Sequence, residues 1–201
     1  TLAAITAMED DLDINLLILS ADHEIRNIER FLEIIIKGMA HSEKNNLVTF
    51  GIVPTSPDTG YGYIESEEPF KKTHIKGSKI KRFIEKPDLE TAEKLIKNKC
   101  FTWNSGIFLF KAEAIINEIK KFSPEIFDYC KESLEKKTID LDFQRVEKSS
   151  FIKCPNISID YAVMEKTNKG IVLPLDVFWS DIGNWKSVWK NSEKDKNGNA
   201  T

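Results

Sequence analysis

An acid and a base stand side by side in Phe83-Ile84-Glu85-Lys86-Pro87, where a β-leaning run gives way to a turn. A carboxylate accepts hydrogen bonds, and a lysine ammonium donates them while carrying charge. Pro87 stops the run, and Asp88 has the character of a cap for a new helix. Glu85 and Lys86 therefore fall at a strand end, and in α/β sheets ligands bind in the crevice beyond the carboxyl ends of the strands. A glutamate and a lysine before a proline also describe an ordinary solvated turn, so the pair needs company before it means a site.

Five other places offer suitable groups. Asp22 follows the apolar run Asn15 to Ala21, at the carboxyl end of a strand. The segment Pro54 to Tyr63 (P-T-S-P-D-T-G-Y-G-Y) is the irregular loop that binding sites use, and Gly60 and Gly62 permit close backbone approach; a simple turn between strands would look the same. Asn104 interrupts an apolar strand, where a buried amide requires a backbone or ligand partner. Asp160 opens a short helix in I-S-I-D-Y-A-V-M-E-K, and an N-cap would explain it equally well. Asp181 lies between aromatics beside a glycine turn in F-W-S-D-I-G-N-W; capping the helix that carries Trp185, Val188 and Trp189 is its plainer role.

The elements that must hold these groups alternate between strand and helix. Asn15 to Ala21 reads as a strand buried on both faces. His23 onward reads as a helix, with Ile25, Ile28, Phe31, Leu32, Ile35 and Ile36 at three- and four-residue spacing and Gly38 as its stop. Leu47 to Val53 is the next strand, so the opening is a βαβ pattern preceded by a helix-like Thr1 to Met8. Tyr63 to Glu65 and His74 to Phe83 read as a strand pair, Asp88 to Asn98 as an amphipathic helix with a Glu90–Lys94 pair, and Thr102 to Phe110 as a strand. Ala112 to Lys121 is the next helix, and Ser123-Pro124-Glu125 opens another. Lys136 to Ser150 reads as surface helix and loop, and Gly170 to Leu175 as a short strand. The chain is thus an α/β protein, with a domain over residues 1–190 and a polar linker or terminus over 191–201.

Composition narrows the partners. A chain of 201 residues with 41% hydrophobic and 30% charged residues is an ordinary globular protein. Its net charge of -3 argues against nucleic-acid binding, which needs a basic face, and leaves small charged substrates open. Cys100, Cys130 and Cys154 are too few and too widely spaced for a disulfide framework or a zinc cluster, which points to a reducing cytoplasm. The apolar runs are too short to span a membrane, and the N-terminus lacks the features of a signal peptide.

Six motifs stand in fixed order: S-A-D-H (20–23), T-G-Y-G-Y-I (59–64), F-I-E-K-P (83–87), W-N-S-G-I-F (103–108), I-S-I-D-Y-A-V-M-E-K (157–166) and W-S-D-I-G-N-W (179–185). Together they resemble the bacterial mannose-1-phosphate guanylyltransferases of the sugar-1-phosphate nucleotidyltransferase superfamily, across nearly the whole chain. The resemblance implies a Rossmann-like, GT-A-like nucleotidyltransferase domain, doubly wound, with a mixed central sheet flanked by helices. It implies GTP and mannose 1-phosphate as substrates, GDP-mannose and pyrophosphate as products, and Mg2+ as cofactor. By the same resemblance, Asp22 and Asp181 would hold the metal, Lys86 would contact the sugar phosphate, and Glu85 would accept hydrogen bonds from sugar hydroxyls. Gly62 and Asn104 would add sugar contacts, and Asp160 is a weaker candidate. The I-D-Y-A-V-M-E-K motif favours mannose 1-phosphate over glucose 1-phosphate.

One part of the resemblance is missing. The family opens with a loop of the type G-G-x-G-T-R-L-x-P-L-S, whose amides and basic side chains grip the triphosphate, and this sequence contains none. The expectation is an N-terminally incomplete domain that exposes a sheet edge, pairs readily into a homo-oligomer, and is inactive alone. A non-catalytic sugar-phosphate-binding relative is the alternative. The polar tail after Asn191 would fit a cut before the β-helical or cupin-like segment of longer members.

Overall fold

A computed structural model describes residues 1–70, 75–183 and 185–199. In chain order, α1 (Leu2–Asp10) precedes β1 (Asn15–Ile18), β2 (His23–Ile25), α2 (Ile28–Ser42), β3 (Leu47–Ile52), β4 (Tyr63–Ser66) and β5 (Ser78–Ile84). Then come α3 (Leu89–Leu95), β6 (Phe101–Lys111), α4 (Ala112–Phe122), α5 (Pro124–Glu135), β7 (Thr138–Asp140), β8 (Phe143–Arg145) and α6 (Lys148–Phe151). A π-helical turn (Asp160–Met164), β9 (Gly170–Leu175), β10 (Trp179–Asp181) and α7 (Trp185–Asn191) complete the described chain.

The aromatic and branched residues of β6 suit a pleated, buried surface, and all of its sheet neighbours run antiparallel to it. Trp103 pairs with Ile52 of β3 on one edge and Tyr63 of β4 on the other. Further along, Phe108 and Leu109 pair with β3 and β1 in the same way. Strands β4 and β1 therefore share one edge of β6, one after the other. Parallel to β3 lies β9, and β5 joins β9 at Ser78 and Lys79 before crossing to β4. The sheet is mixed, with apolar clusters on both sides: α2 and α3 cover Phe50, Tyr63, Trp103 and Leu173, while α1, α4, α5 and the π turn cover Leu47, Phe108 and Phe110. This is the expected α/β architecture.

Four local expectations change. The first strand is shorter and is not buried on both faces: β1 hydrogen-bonds only to β6 among the described residues, and Leu17, Ile18 and Leu19 are 37%, 37% and 50% exposed. His23 does not begin a helix, because His23 to Ile25 pair with β10 instead. The helix starts after Asn27, which takes a left-handed φ of 62° and accepts a hydrogen bond from Arg30 N. Gly38 is not its stop; α2 runs through it to Ser42, and a Cβ there would meet Phe50 Cζ at 3.0 Å and Leu109 Cδ2 at 3.2 Å. Glycine at this position lets the helix lie close on the sheet. The βαβ opening is also split, since antiparallel β6 lies between β1 and β3.

Downstream, Asp88 caps α3 through Thr91 N, and Lys94 pairs with Glu90 at 2.6 Å, as expected. Pro124 opens α5 after Ser123 at the N-cap position, but the Ser123 side chain makes no cap hydrogen bond; its hydroxyl donates to the Ala162 carbonyl. The stretch read as surface helix and loop contains an exposed hairpin, β7–β8, turning at Leu141 with φ 54°. His74, placed in a strand by the sequence, and Asn184 lie outside the described residues. Among the described residues, no helix is long and apolar enough to cross a membrane.

Two glycines on the central strands separate two kinds of constraint. A Cβ on Gly51 would fall 1.9 Å from Thr102 Oγ1 and 2.5 Å from Thr102 Cβ, whereas Gly106 has open space around it but a φ of +67°. Gly51→Ala is expected to cost about 2 to 3 kcal/mol through overpacking. Gly106→Ala is expected to cost about 1 kcal/mol through backbone conformation alone. Urea unfolding of the two variants checks the order.

Candidate active site

Loop 54–62 delivers Gly62 to the start of β4, and Glu85 follows the end of β5 directly across from it. A Cβ on Gly62 would lie 2.9 Å from Glu85 Oε2, so only glycine leaves that carboxylate in place. The Gly62 carbonyl accepts a hydrogen bond from Asn104 N at 2.7 Å. Asn104 Nδ2 donates to Asp160 Oδ1 at 3.1 Å, while its Oδ1 accepts from Gly106 N at 3.2 Å. The amide thus has the partners that its place in an apolar strand demanded, and one N–H remains for a ligand.

Asp160 sits on the π turn, where no side chain caps the N-terminus, so the capping explanation does not hold. The turn has a second effect. Glu165 N donates to Asp160 O at 2.9 Å, a five-residue span that sets Glu165 near Asp160. Burial pushes the Asp160 carboxyl above its ordinary value, the Asn104 hydrogen bond opposes this, and the charge of Glu85 adds to it. Glu165 is raised as well, first by burial and then by the charges of Asp160 and Glu85. These three carboxylates make one electronegative group. Beside it, Lys86 Nζ lies 3.7 Å from Glu85 Oε1, with both side chains at least half exposed. Lys86 also has a φ of 37°, an uncommon conformation for a residue that precedes proline.

Asp22 and Asp181 meet elsewhere. The β2–β10 pairing sets Asp181 opposite His23, and Ile182 N donates to the Asp22 carbonyl at 2.7 Å, so the aspartates occupy neighbouring positions. Asp181 is a strand residue whose carboxylate accepts from Tyr61 at 2.7 Å, and Asn184, at the start of the helix it was expected to cap, lies outside the described residues. The Tyr61 ring is flanked by Trp103 and Trp179, with centroids 5.1 and 5.3 Å away, and His23 meets the edge of Trp179 at 5.1 Å. Burial, the hydrogen bond to Asp181 and nearby carboxylate charge push the Tyr61 phenol far above its usual range, so it stays a donor. A cavity of about 510 Å³ opens here, lined among others by Asp58, Tyr61, Trp103, Trp179 and Asp181.

Tyr61-Gly62 and Trp103-Asn104 are consecutive pairs, so the same two segments supply both groups of residues. Gly62, Glu85, Lys86, Asn104 and Asp160 come together; Asp22 and Asp181 form the second group. Sequence reasoning passed over Tyr61 and Glu165. A tyrosine between two glycines was a usable signal, but the Asp160–Glu165 proximity depends on a π turn that no helical periodicity announces. Among the described residues, no group of three or more His, Cys, Asp or Glu side chains could hold a metal. Two carboxylates nevertheless suit a hard cation that keeps waters and shares ligand phosphates.

The sequence profile of nucleotidyl transferases matches residues 1–198. The chain belongs to the nucleotidyl transferase family. It is 47% identical over 189 residues to a mannose-1-phosphate guanylyltransferase of Salmonella montevideo, covering 92% of this chain and 40% of that protein. It is 44% identical over 198 residues to the xanthan biosynthesis protein XanB of Xanthomonas campestris pv. campestris, covering 98% and 41%. A crystal structure named as mannose-6-phosphate isomerase from Helicobacter pylori matches with a TM-score of 0.76 and 32% identity, over 89% of this chain and 68% of that one. The chain thus spans about two fifths of the length of the curated relatives it matches.

The raised Asp160 carboxyl bears on stability. Its folded pKa lies above the ordinary 3.8, so the folded state binds more protons between those values and loses stability as pH rises through them. Asp160→Asn is therefore expected to melt at a higher temperature than the parent at neutral pH. The gain should vanish as pH falls toward the ordinary aspartate value, which melting curves across that range would reveal.

Proposed function

We propose that the chain is the sugar-phosphate-binding part of a mannose-1-phosphate guanylyltransferase, which transfers GMP from GTP to mannose 1-phosphate and releases pyrophosphate. The observation that carries this is the grouping of Gly62, Glu85, Asn104 and Asp160, with Lys86 at its rim. A sugar ring needs close backbone approach and hydroxyl partners, which glycine, carboxylates and an amide provide. Its phosphate needs a cation, and the exposed Lys86 ammonium is held only loosely by Glu85.

In this reading Lys86 orients the phosphate oxygen that attacks the α-phosphorus of GTP in line. Glu85 accepts hydrogen bonds from sugar hydroxyls, and Asn104, steadied by Asp160, contributes its free N–H. Asp22 and Asp181 are the residues that would hold Mg2+, which neutralises charge on the phosphates when bound. Self-association would use the open edge of β1 and the outward Ile28, Leu32 and Ile36 of α2, which are 56%, 51% and 66% exposed.

Lys86→Ala in a protein of the relatives' full length is expected to weaken mannose 1-phosphate binding on the order of ten-fold, the size of a lost charged hydrogen bond. Calorimetry checks this, and unchanged affinity would remove Lys86 from the site. Because no glycine-rich phosphate loop occurs in its sequence, the isolated 201-residue chain is expected to form no GDP-mannose from GTP. Product formation by the pure chain would show that the triphosphate is gripped by other residues.

A further inference from the structure

We infer that Tyr61 is a positioning residue for Asp181, holding one carboxylate oxygen so that the other is presented to a divalent cation. This rests on the metal role proposed for Asp22 and Asp181. The hydroxyl donates to Asp181 Oδ1 at 2.7 Å across 120 residues of sequence, tying loop 54–62 to β10. Its ring packs against two indoles: Trp103 of β6 lies at 5.1 Å and 52°, and Trp179 of β10 at 5.3 Å and 66°. Both clamping side chains stand on strands and are under 10% exposed, so the hydroxyl is aimed by fixed neighbours. Asp181, by contrast, ends a three-residue strand and is only half-buried. A carboxylate so placed keeps one orientation only if a second group holds it, and loss of such a supporting hydrogen bond typically costs 10- to 100-fold in metal affinity. Tyr61 also precedes Gly62, so the contact that steadies the cation ligand anchors the loop carrying a sugar-facing glycine.

Terbium(III), a hard cation whose emission is excited through nearby indoles, serves as the probe, since Trp179 stands two residues from Asp181. The complete chain would be titrated as parent, Asp181→Asn and Tyr61→Phe, with near-ultraviolet circular dichroism and melting temperature recorded for each. Saturable emission is expected for the parent, displaced by Mg2+ and abolished by Asp181→Asn. Tyr61→Phe keeps the clamped ring, and it is expected to bind terbium about ten-fold more weakly without a matching loss of fold. Trp103→Phe, which loosens the clamp but keeps the hydroxyl, is expected to weaken binding less and supplies an independent arm. Parent-like affinity in both Tyr61→Phe and Trp103→Phe, with Asp181→Asn still silent, overturns the positioning role and leaves the metal reading intact. Emission that Asp181→Asn does not diminish, or no saturable emission at all, overturns the metal reading and this inference with it.

Discussion

Strand β6 is hydrogen-bonded along both edges, to β3 on one side and to β4 and then β1 on the other, and the geometry of the site depends on that pairing. Pairing at Trp103 brings Tyr63 alongside, and Asn104 N then bonds to the Gly62 carbonyl. Side chains on a strand alternate between faces, so Trp103 enters the aromatic clamp while Asn104 turns toward Asp160. A one-residue slip of β4 against β6 would exchange these roles, but the burial of Tyr63 and Ile64 holds the register.

The two groups of polar residues treat negative charge differently. The charge of Glu85 raises the affinity of Asp160 and Glu165 for protons, Asp160 raises that of Glu165, and Asn104 donates to the most buried of them. That arrangement costs folding stability and leaves acceptors ready for hydroxyl donors. Asp181 has a dedicated donor instead, in a phenol that cannot readily ionise. An exposed lysine in a strained backbone conformation stands at the rim of the first group. Strain of this kind persists where the neighbours over-determine it, here Pro87 on one side and the β4–β5 pairing on the other.

Much of the site could be read from residue order because its members lie at strand ends. Glu85, Asn104 and Asp181 each border or interrupt an apolar run, and a polar group there needs a partner. The α/β class, the boundaries of β9, the cap at Asp88 and the helix start at Pro124 also came from local rules. The failures share a cause. Ile25 keeps helical spacing with Ile28 and Leu32, yet the backbone bonds of His23 to Ile25 go to β10, more than 150 residues downstream. Gly38 looked like a stop because nothing local shows that Phe50 and Leu109 press against it.

Sequence alone determined which residue types were present at each strand end, and hence the chemistry available: carboxylate and amide acceptors, a lysine cation, and two aspartates whose oxygens suit hard cations. Tertiary structure decided the partners. It gave Asp160 to Asn104 rather than to a helix N-terminus, and it gave Asp181 a partner, Tyr61, that lies 120 residues away in sequence. Local preference can name a cap, but a long-range hydrogen bond in a partly dry environment outweighs it once the sheet has brought the groups together.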